Sequence, residues 1–271
     1  MPSGGDASAR EPQPQGDRSA AQTFGADPGR YDRARPRYPS ALVERIVATA
    51  PAGRVLDVGT GTGIAARQFQ AAGCQVLGVD PDVRLAEFAR GSGVGVEVAS
   101  FEDWDPAGRE FDIVVSGESW HWVDPARGTA KAAEVLRPGG LLALFWNTGQ
   151  PPPALDAAFH EVYRRNLPQA LVARLEPGVM RAAQSALRAR TADAIRASER
   201  FEEPQEWSCQ WTQPYTRDAW LDALQTTGGA VSQSQLPGLL DGVGAAIDAA
   251  GGSFTMSYTT FAVTALRRQR S

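Results

Sequence analysis

The stretch Val55-Leu-Asp-Val-Gly-Thr-Gly-Thr-Gly63 decides how this chain is read. A short apolar run ends in three alternating glycines, and Ile64 to Ala72 continues as a helix that Gly73 stops. Glycine tolerates positive φ and has no Cβ, so backbone there can approach a ligand. The start of the helix behind the loop offers free N–H groups and a partial positive charge. The next apolar run, Gln75-Val-Leu-Gly-Val79, ends at Asp80. An acid in that place can accept both hydroxyls of a ribose. The same residues also fit an ordinary strand, turn and helix, with Asp80 capping the helix after Pro81. Strand, loop, helix, strand and acid together favour a nucleoside site.

Outward from this loop the pattern repeats. Leu42, Val43, Ile46 and Val47 recur at helical spacing between Ser40 and Ala50. Beyond Asp80, Val83 to Arg90 reads as a helix, Val94 to Ala99 as a strand and Phe111-Asp-Ile-Val-Val115 as another. Pro125 to Leu136 is an amphipathic helix closed by Arg137-Pro-Gly-Gly140, and Leu141 to Trp146 is a fifth strand. Short strands without polar alternation are buried on both faces, and their alternation with helices implies a parallel, doubly wound sheet. Trp207 to Thr216 and Ser253 to Leu266 have strand character and form a terminal antiparallel pair, with helices at Asp218–Gln225 and Leu239–Ala250 between them. The expected fold is α/β: a doubly wound, mostly parallel seven-stranded Rossmann-like sheet with an antiparallel terminal strand. Residues 150–200, too long for a simple connection, are expected to form a helical cap insertion. Residues 1–23 are rich in Pro, Gly, Ser and Gln and read as a disordered tail ahead of one domain over 24–271.

Composition removes several chemistries. Of the 27 basic residues only Lys131 is a lysine, and there are two cysteines, Cys74 and Cys209, and two histidines, His121 and His160. No CxxC or HxxxH spacing is present, so no metal site is expected. A Schiff base would require Lys131. A net charge of −4 gives no general attraction to nucleic acid. There is no apolar run long enough for a membrane span and no apolar leader core, so a cytoplasmic protein is expected. Neither a G-x-S-x-G elbow nor a G-x-x-x-x-G-K-[ST] loop occurs.

Asp57-Val-Gly-Thr-Gly-Thr-Gly63, Val79-Asp80, Phe111-Asp-Ile-Val-Val115 and Leu136-Arg-Pro-Gly-Gly-Leu-Leu-Ala143 resemble class I S-adenosylmethionine (SAM)-dependent methyltransferases. The resemblance spans about residues 24 to 147. Tyr31-Asp-Arg-Ala-Arg-Pro-Arg-Tyr-Pro39 and Trp120-His-Trp122 are similar to the small-molecule branch labelled methyltransferase type 11. The resemblance implies that Asp57, Gly59, Gly61 and Gly63 belong to a loop lining the methionine and ribose portion of SAM. It implies that Asp80, followed by Pro81, holds the ribose, and that Phe101 and Glu102 flank adenine. The segment Ser116 to Ser119 would face the methionine end, with Tyr31 and Arg35 covering the site. The family's Asp one step before Phe101 is Ser100 here.

Methyl transfer from a sulfonium is an in-line displacement, governed by positioning and, for an acceptor that carries a proton, by a base. Open α/β sheets place ligands outside the strand C-termini, where Trp120-His121-Trp122 falls. His121 is the candidate base, with loop support as its other reading. Trp120, Trp122 and Trp146 are candidates for an apolar acceptor pocket or for packing. Arg35 and Arg37 could pair a carboxylate or serve structural ion pairs. The expected activity is SAM-dependent methyl transfer to O, N or C of a small-molecule acceptor. Two rivals remain. Gly61-Thr-Gly-Ile-Ala-Ala66 fits a G-x-G-x-x-A dinucleotide fingerprint, so a nicotinamide-dependent oxidoreductase competes. A SAM-binding protein without transfer activity is the other.

Overall fold

The computed structural model describes residues 24–50, 53–167, 179–227 and 235–269. The expected N-terminal tail lies outside them. In chain order the main elements are α1 (Pro28–Ala34), α2 (Ser40–Thr49), β1 (Arg54–Val58), α3 (Ile64–Ala71), β2 (Gln75–Asp80), α4 (Val83–Gly91) and β3 (Gly95–Val98). They continue with β4 (Phe111–Gly117), α5 (Pro125–Val135), β5 (Leu136–Gln150), α6 (Pro153–Asn166), α7 (Val179–Ala197), β6 (Gln205–Thr216), α8 (Arg217–Leu224), α9 (Leu236–Ala249) and β7 (Ser253–Leu266).

The strands form one seven-stranded sheet in the order β3-β2-β1-β4-β5-β7-β6. β3, β2, β1, β4 and β5 are mutually parallel; β7 runs antiparallel to both β5 and β6. The strand order reverses between β1 and β4, which opens a crevice at their C-terminal ends. Beyond β5 the sheet continues with antiparallel β7, where a dinucleotide fold has its sixth parallel strand. In that strand the sheet departs from the fold that the nicotinamide reading requires.

Strand parity divides the interior. Val55, Ile113, Val115, Leu141, Ala143 and Phe145 bury on the face covered by α2 and α3. Leu56, Val58, Val114, Leu142, Leu144 and Trp146 bury on the opposite face with residues of α5 and α7. Successive strand residues point to opposite sides, so each run of five or six apolar residues serves two cores at once.

The 150–200 segment differs from the single cap expected. α6 packs on α9 in a separate cluster with Tyr215, Phe254 and Tyr258 of β6 and β7. α7 places Ala192 and Ile195 in the core of the sheet, against α5 and β7. The α7 part of the segment is therefore a layer of the sandwich. Its apolar stripe finds more area on the sheet than a lid over solvent would give it. The fifth strand is also longer than expected: Leu136 already pairs with Phe111, and Gly139 takes a left-handed φ of 77° between Leu136 and Leu141, where the register with β4 shifts.

Candidate active site

A cavity of about 710 Å³ opens at the C-terminal ends of β1, β2 and β4. That lies within the roughly 300–1,000 Å³ common for small-molecule sites. At one end is the glycine loop. Gly59 and Gly61 have φ of 66° and 55°, a left-handed geometry that side chains rarely adopt. A Cβ on Gly59 would sit 2.5 Å from the Cβ of Ser119, whereas one on Gly61 would meet nothing within 4 Å. Gly59 thus lets the β1 and β4 loops close on each other, and Gly61 leaves open space for a ligand. Gly63, left-handed as well, begins α3 behind the loop and is not part of the wall.

Asp80 lies at the end of β2 and is buried. Its Oδ2 accepts from Gly61 N at 2.7 Å, and its Oδ1 accepts from Asp82 N at 2.8 Å. Burial pushes its carboxyl above the usual range, and these two bonds oppose the rise. Each oxygen keeps a second lone pair, so the group can still accept hydroxyl hydrogens. Asp57, inside β1, is buried, and Thr60 Oγ1 donates to its Oδ2 at 2.7 Å. Burial carries its pKa up to about 7. Pro81, Ser100, Phe101 and Glu102 continue the wall, and Glu102 Oε1 accepts from Asp124 N at 3.0 Å.

The other end is built from the tip of β4, Asn147 of β5 and the N-terminal segment. Asp27 caps α1 by accepting from Arg30 N at 2.9 Å, which fixes Tyr31 and Arg35 one turn on. The Arg35 guanidinium lies 5.1 Å from the Tyr31 ring centre, and its Nη2 donates to Thr226 O at 3.2 Å. Asp32 ties α1 to α3 through Arg67, 2.5 Å away, and also pairs with Arg37 at 3.5 Å. Arg37 is therefore a structural partner and does not line the cavity.

Of the residues singled out from the sequence, the cavity wall contains Tyr31, Arg35, Asp57, Gly59, Gly61, Asp80, Pro81, Phe101, Glu102, Ser119, His121 and Trp122. Ser116 is not among them. It and Ser119 both donate to Val58 O, at 3.0 and 2.7 Å, and so pin the ends of β1 and β4 together. Trp120 packs in the core beside Phe101, with ring centres 6.0 Å apart, and over Gly128 of α5. Trp146 follows the parity of Leu142 and Leu144 into the same core, and its neighbour Asn147 reaches the cavity instead. His121 is packed against Trp122, with ring centres 4.8 Å apart. Burial lowers its pKa to about 4, and among the described residues its Nδ1 has no hydrogen-bond partner. A base that weak is poorly matched to proton removal at neutral pH.

Tyr38, Glu118, Asn147 and Thr227 are among the lining residues given no individual role from the sequence. Tyr38 stood inside the quoted Tyr31–Pro39 motif, and Glu118 inside the Ser116–Ser119 segment. No periodicity marks either as a wall residue.

These features agree with what comparison finds. Residues 31–231 match the family described as a methyltransferase domain. An uncharacterised methyltransferase of Mycobacterium tuberculosis is 37% identical over 133 residues, covering 48% of this chain and 54% of the relative. A ubiquinone biosynthesis O-methyltransferase of Aromatoleum aromaticum is 42% identical over 96 residues, covering 32% of this chain and 41% of the relative. The chain thus matches about half or less of the length of these relatives. Among solved structures, a putative type II methyltransferase from Anaeromyxobacter dehalogenans superimposes with a TM-score of 0.57 at 24% identity, covering 86% of this chain and 97% of that one. The chain belongs to the methyltransferase-domain family, with the fold of its class I, SAM-dependent members.

Proposed function

We infer that the protein is a SAM-dependent methyltransferase acting on O, N or C of a small-molecule acceptor. The observation that carries this is the double-ended cavity. Asp80, clasped by two backbone N–H groups beside the open face of Gly61, fits a ribose at one end. Tyr31, Arg35, Glu118 and Asn147 leave room for a second reactant at the other. In this reading Asp80 accepts the ribose hydroxyls, and Phe101 and Glu102 flank adenine. Bound SAM would supply an electrophilic methyl on a sulfonium. The chain's own contribution is to hold two reactants in line and exclude water, a positioning effect able to carry much of the rate. A small-molecule acceptor fits an enclosed cavity and a net negative chain better than a nucleic acid does. Among the described residues no helix is long and apolar enough to cross a membrane. A cytoplasmic setting is part of the same proposal.

Calorimetric titration with SAM, S-adenosylhomocysteine and NAD tests the cofactor. Binding of the first two and not the third is expected; NAD binding without SAM binding would overturn the assignment. Release of S-adenosylhomocysteine in the presence of acceptors separates an enzyme from a SAM-binding protein without transfer activity.

A further inference from the structure

Glu118 occupies an unusual position at the tip of β4. Its φ of 58° is left-handed, a conformation that costs a non-glycine residue on the order of 1 kcal/mol or more. Two bonds hold it there. Its N–H donates to Phe145 O at 2.9 Å, and its Oε1 accepts from Asn147 N at 2.6 Å. The side chain is thereby folded over the end of β5 and set in the cavity wall. It is open to the cavity while protein crowds it from the other sides. Arg35 faces it from the end of α1, with Tyr31 of α1, Tyr38 before α2 and Tyr258 of β7 close enough to feel its charge. The Tyr38 hydroxyl packs on the same turn: a Cβ on Gly117 would lie 2.5 Å from it. The Asn147 bond engages Oε1, leaving Oε2 for a ligand.

We propose that Glu118 is the general base of the reaction, and that the acceptor therefore presents an N–H or O–H to it at the Arg35–Asn147 end of the cavity. The inference rests on the methyl-transfer reading above. The acceptor's lone pair forms the new bond to the methyl carbon, the electron pair of the broken carbon–sulfur bond stays on sulfur, and the acceptor's hydrogen passes as a proton to Glu118 Oε2. Crowding by the surrounding protein lifts the Glu118 carboxyl above the ordinary glutamate range, although the side chain is open to the cavity, against the pull of the Asn147 N–H and the Arg35 charge. A carboxyl raised toward the working pH is the better proton acceptor. His121, with its weakly basic ring, is left to shape the wall.

The test compares the wild-type chain with Glu118→Gln, whose amide oxygen can keep the Asn147 bond. Both are given methyl-tritiated SAM and a small-molecule extract of the cells that make the protein. Wild type is expected to label a metabolite. The variant is expected to bind SAM within about threefold by calorimetry and to transfer label about a hundredfold more slowly or worse. The rate of the wild type should fall on the acid side as Glu118 takes up a proton, and the variant should lack that limb. Independently of turnover, carbon-13 NMR of glutamate-labelled protein should show one carboxyl titrating above the others, absent from the variant. Transfer by the variant at the wild-type rate would overturn the proposal. So would a tenfold or larger loss of SAM affinity with full transfer at saturating SAM, which would make Glu118 a partner of the cofactor's ammonium group. SAM binding by wild type with no labelled product would sink the methyl-transfer reading itself, and this inference with it.

Discussion

The two ends of the cavity hold their carboxylates in different ways. At the glycine-loop end, Asp80 is clasped by two backbone N–H groups supplied by its own turn and the facing loop. At the other end, Glu118 keeps a single side-chain bond among the described residues, has a left-handed backbone and faces Arg35. The first arrangement is a fixed cradle made of backbone, and it suits a part of the ligand that does not react. The second is a side chain carried on a costly backbone conformation with one oxygen engaged, which suits a group that must exchange a proton.

Four substitutions sharpen or break this contrast. The largest effect is expected from Gly59→Ala, which adds a methyl 2.5 Å from Ser119 Cβ on a left-handed residue. SAM affinity measured by calorimetry should fall by about a hundredfold or more, and thermal stability should drop as well, since left-handed backbone and a clash add. A tolerated alanine would mean that the loop is not the rigid end. Next is Asp80→Asn. SAM affinity should weaken by roughly 1.5–3 kcal/mol, the range for hydrogen bonds to a charged group. Unchanged affinity would remove Asp80 from the site and with it one half of the comparison.

Asp57→Asn probes the interior behind the loop. The folded carboxyl titrates at about 7, against roughly 3.9 in an unfolded chain. The folded protein therefore holds a proton that the unfolded chain has released across that interval. The stability contributed by this proton is full below about pH 4 and is lost as pH rises through 7. The asparagine variant should gain stability relative to wild type between pH 5 and pH 8, read from denaturant midpoints in the absence of ligand. An equal difference at both pH values would show that Asp57 is ionised throughout. The smallest change is expected from His121→Ala: a few-fold rise in KM for the acceptor with little loss of kcat. A hundredfold fall in kcat would return the base to His121 and break the contrast between the two carboxylates.

The glycine-loop end was legible in the sequence because its signals are local. Three alternating glycines after an apolar run, and an acid at the end of the next strand, are set by backbone sterics and strand length. The Glu118 end was not legible, for three reasons that recur elsewhere in the molecule. A left-handed glutamate carries no residue-type signal, since glycine, not glutamate, marks that conformation. Trp146 and Asn147 are adjacent, and only the register of β5 decides which of them meets the cavity. His121 has the ordinary chemistry of a base, and burial beside Trp122 takes it away. The division of residues 150–200 into α6, on its own cluster, and α7, in the sheet's core, was hidden in the same way.

By itself, the sequence determined the α/β class, the parallel run of strands, the antiparallel terminal pair and the loop at which a nucleoside fits. Each follows from hydrophobic period and glycine placement over fewer than a dozen neighbouring residues. Tertiary structure alone decided which aromatic side chains are core and which are wall, and which acid faces Arg35 across the cavity. It also decided which titratable groups keep their ordinary strength. These depend on what packs around a residue from distant parts of the chain, and burial and facing charge are properties no local pattern records.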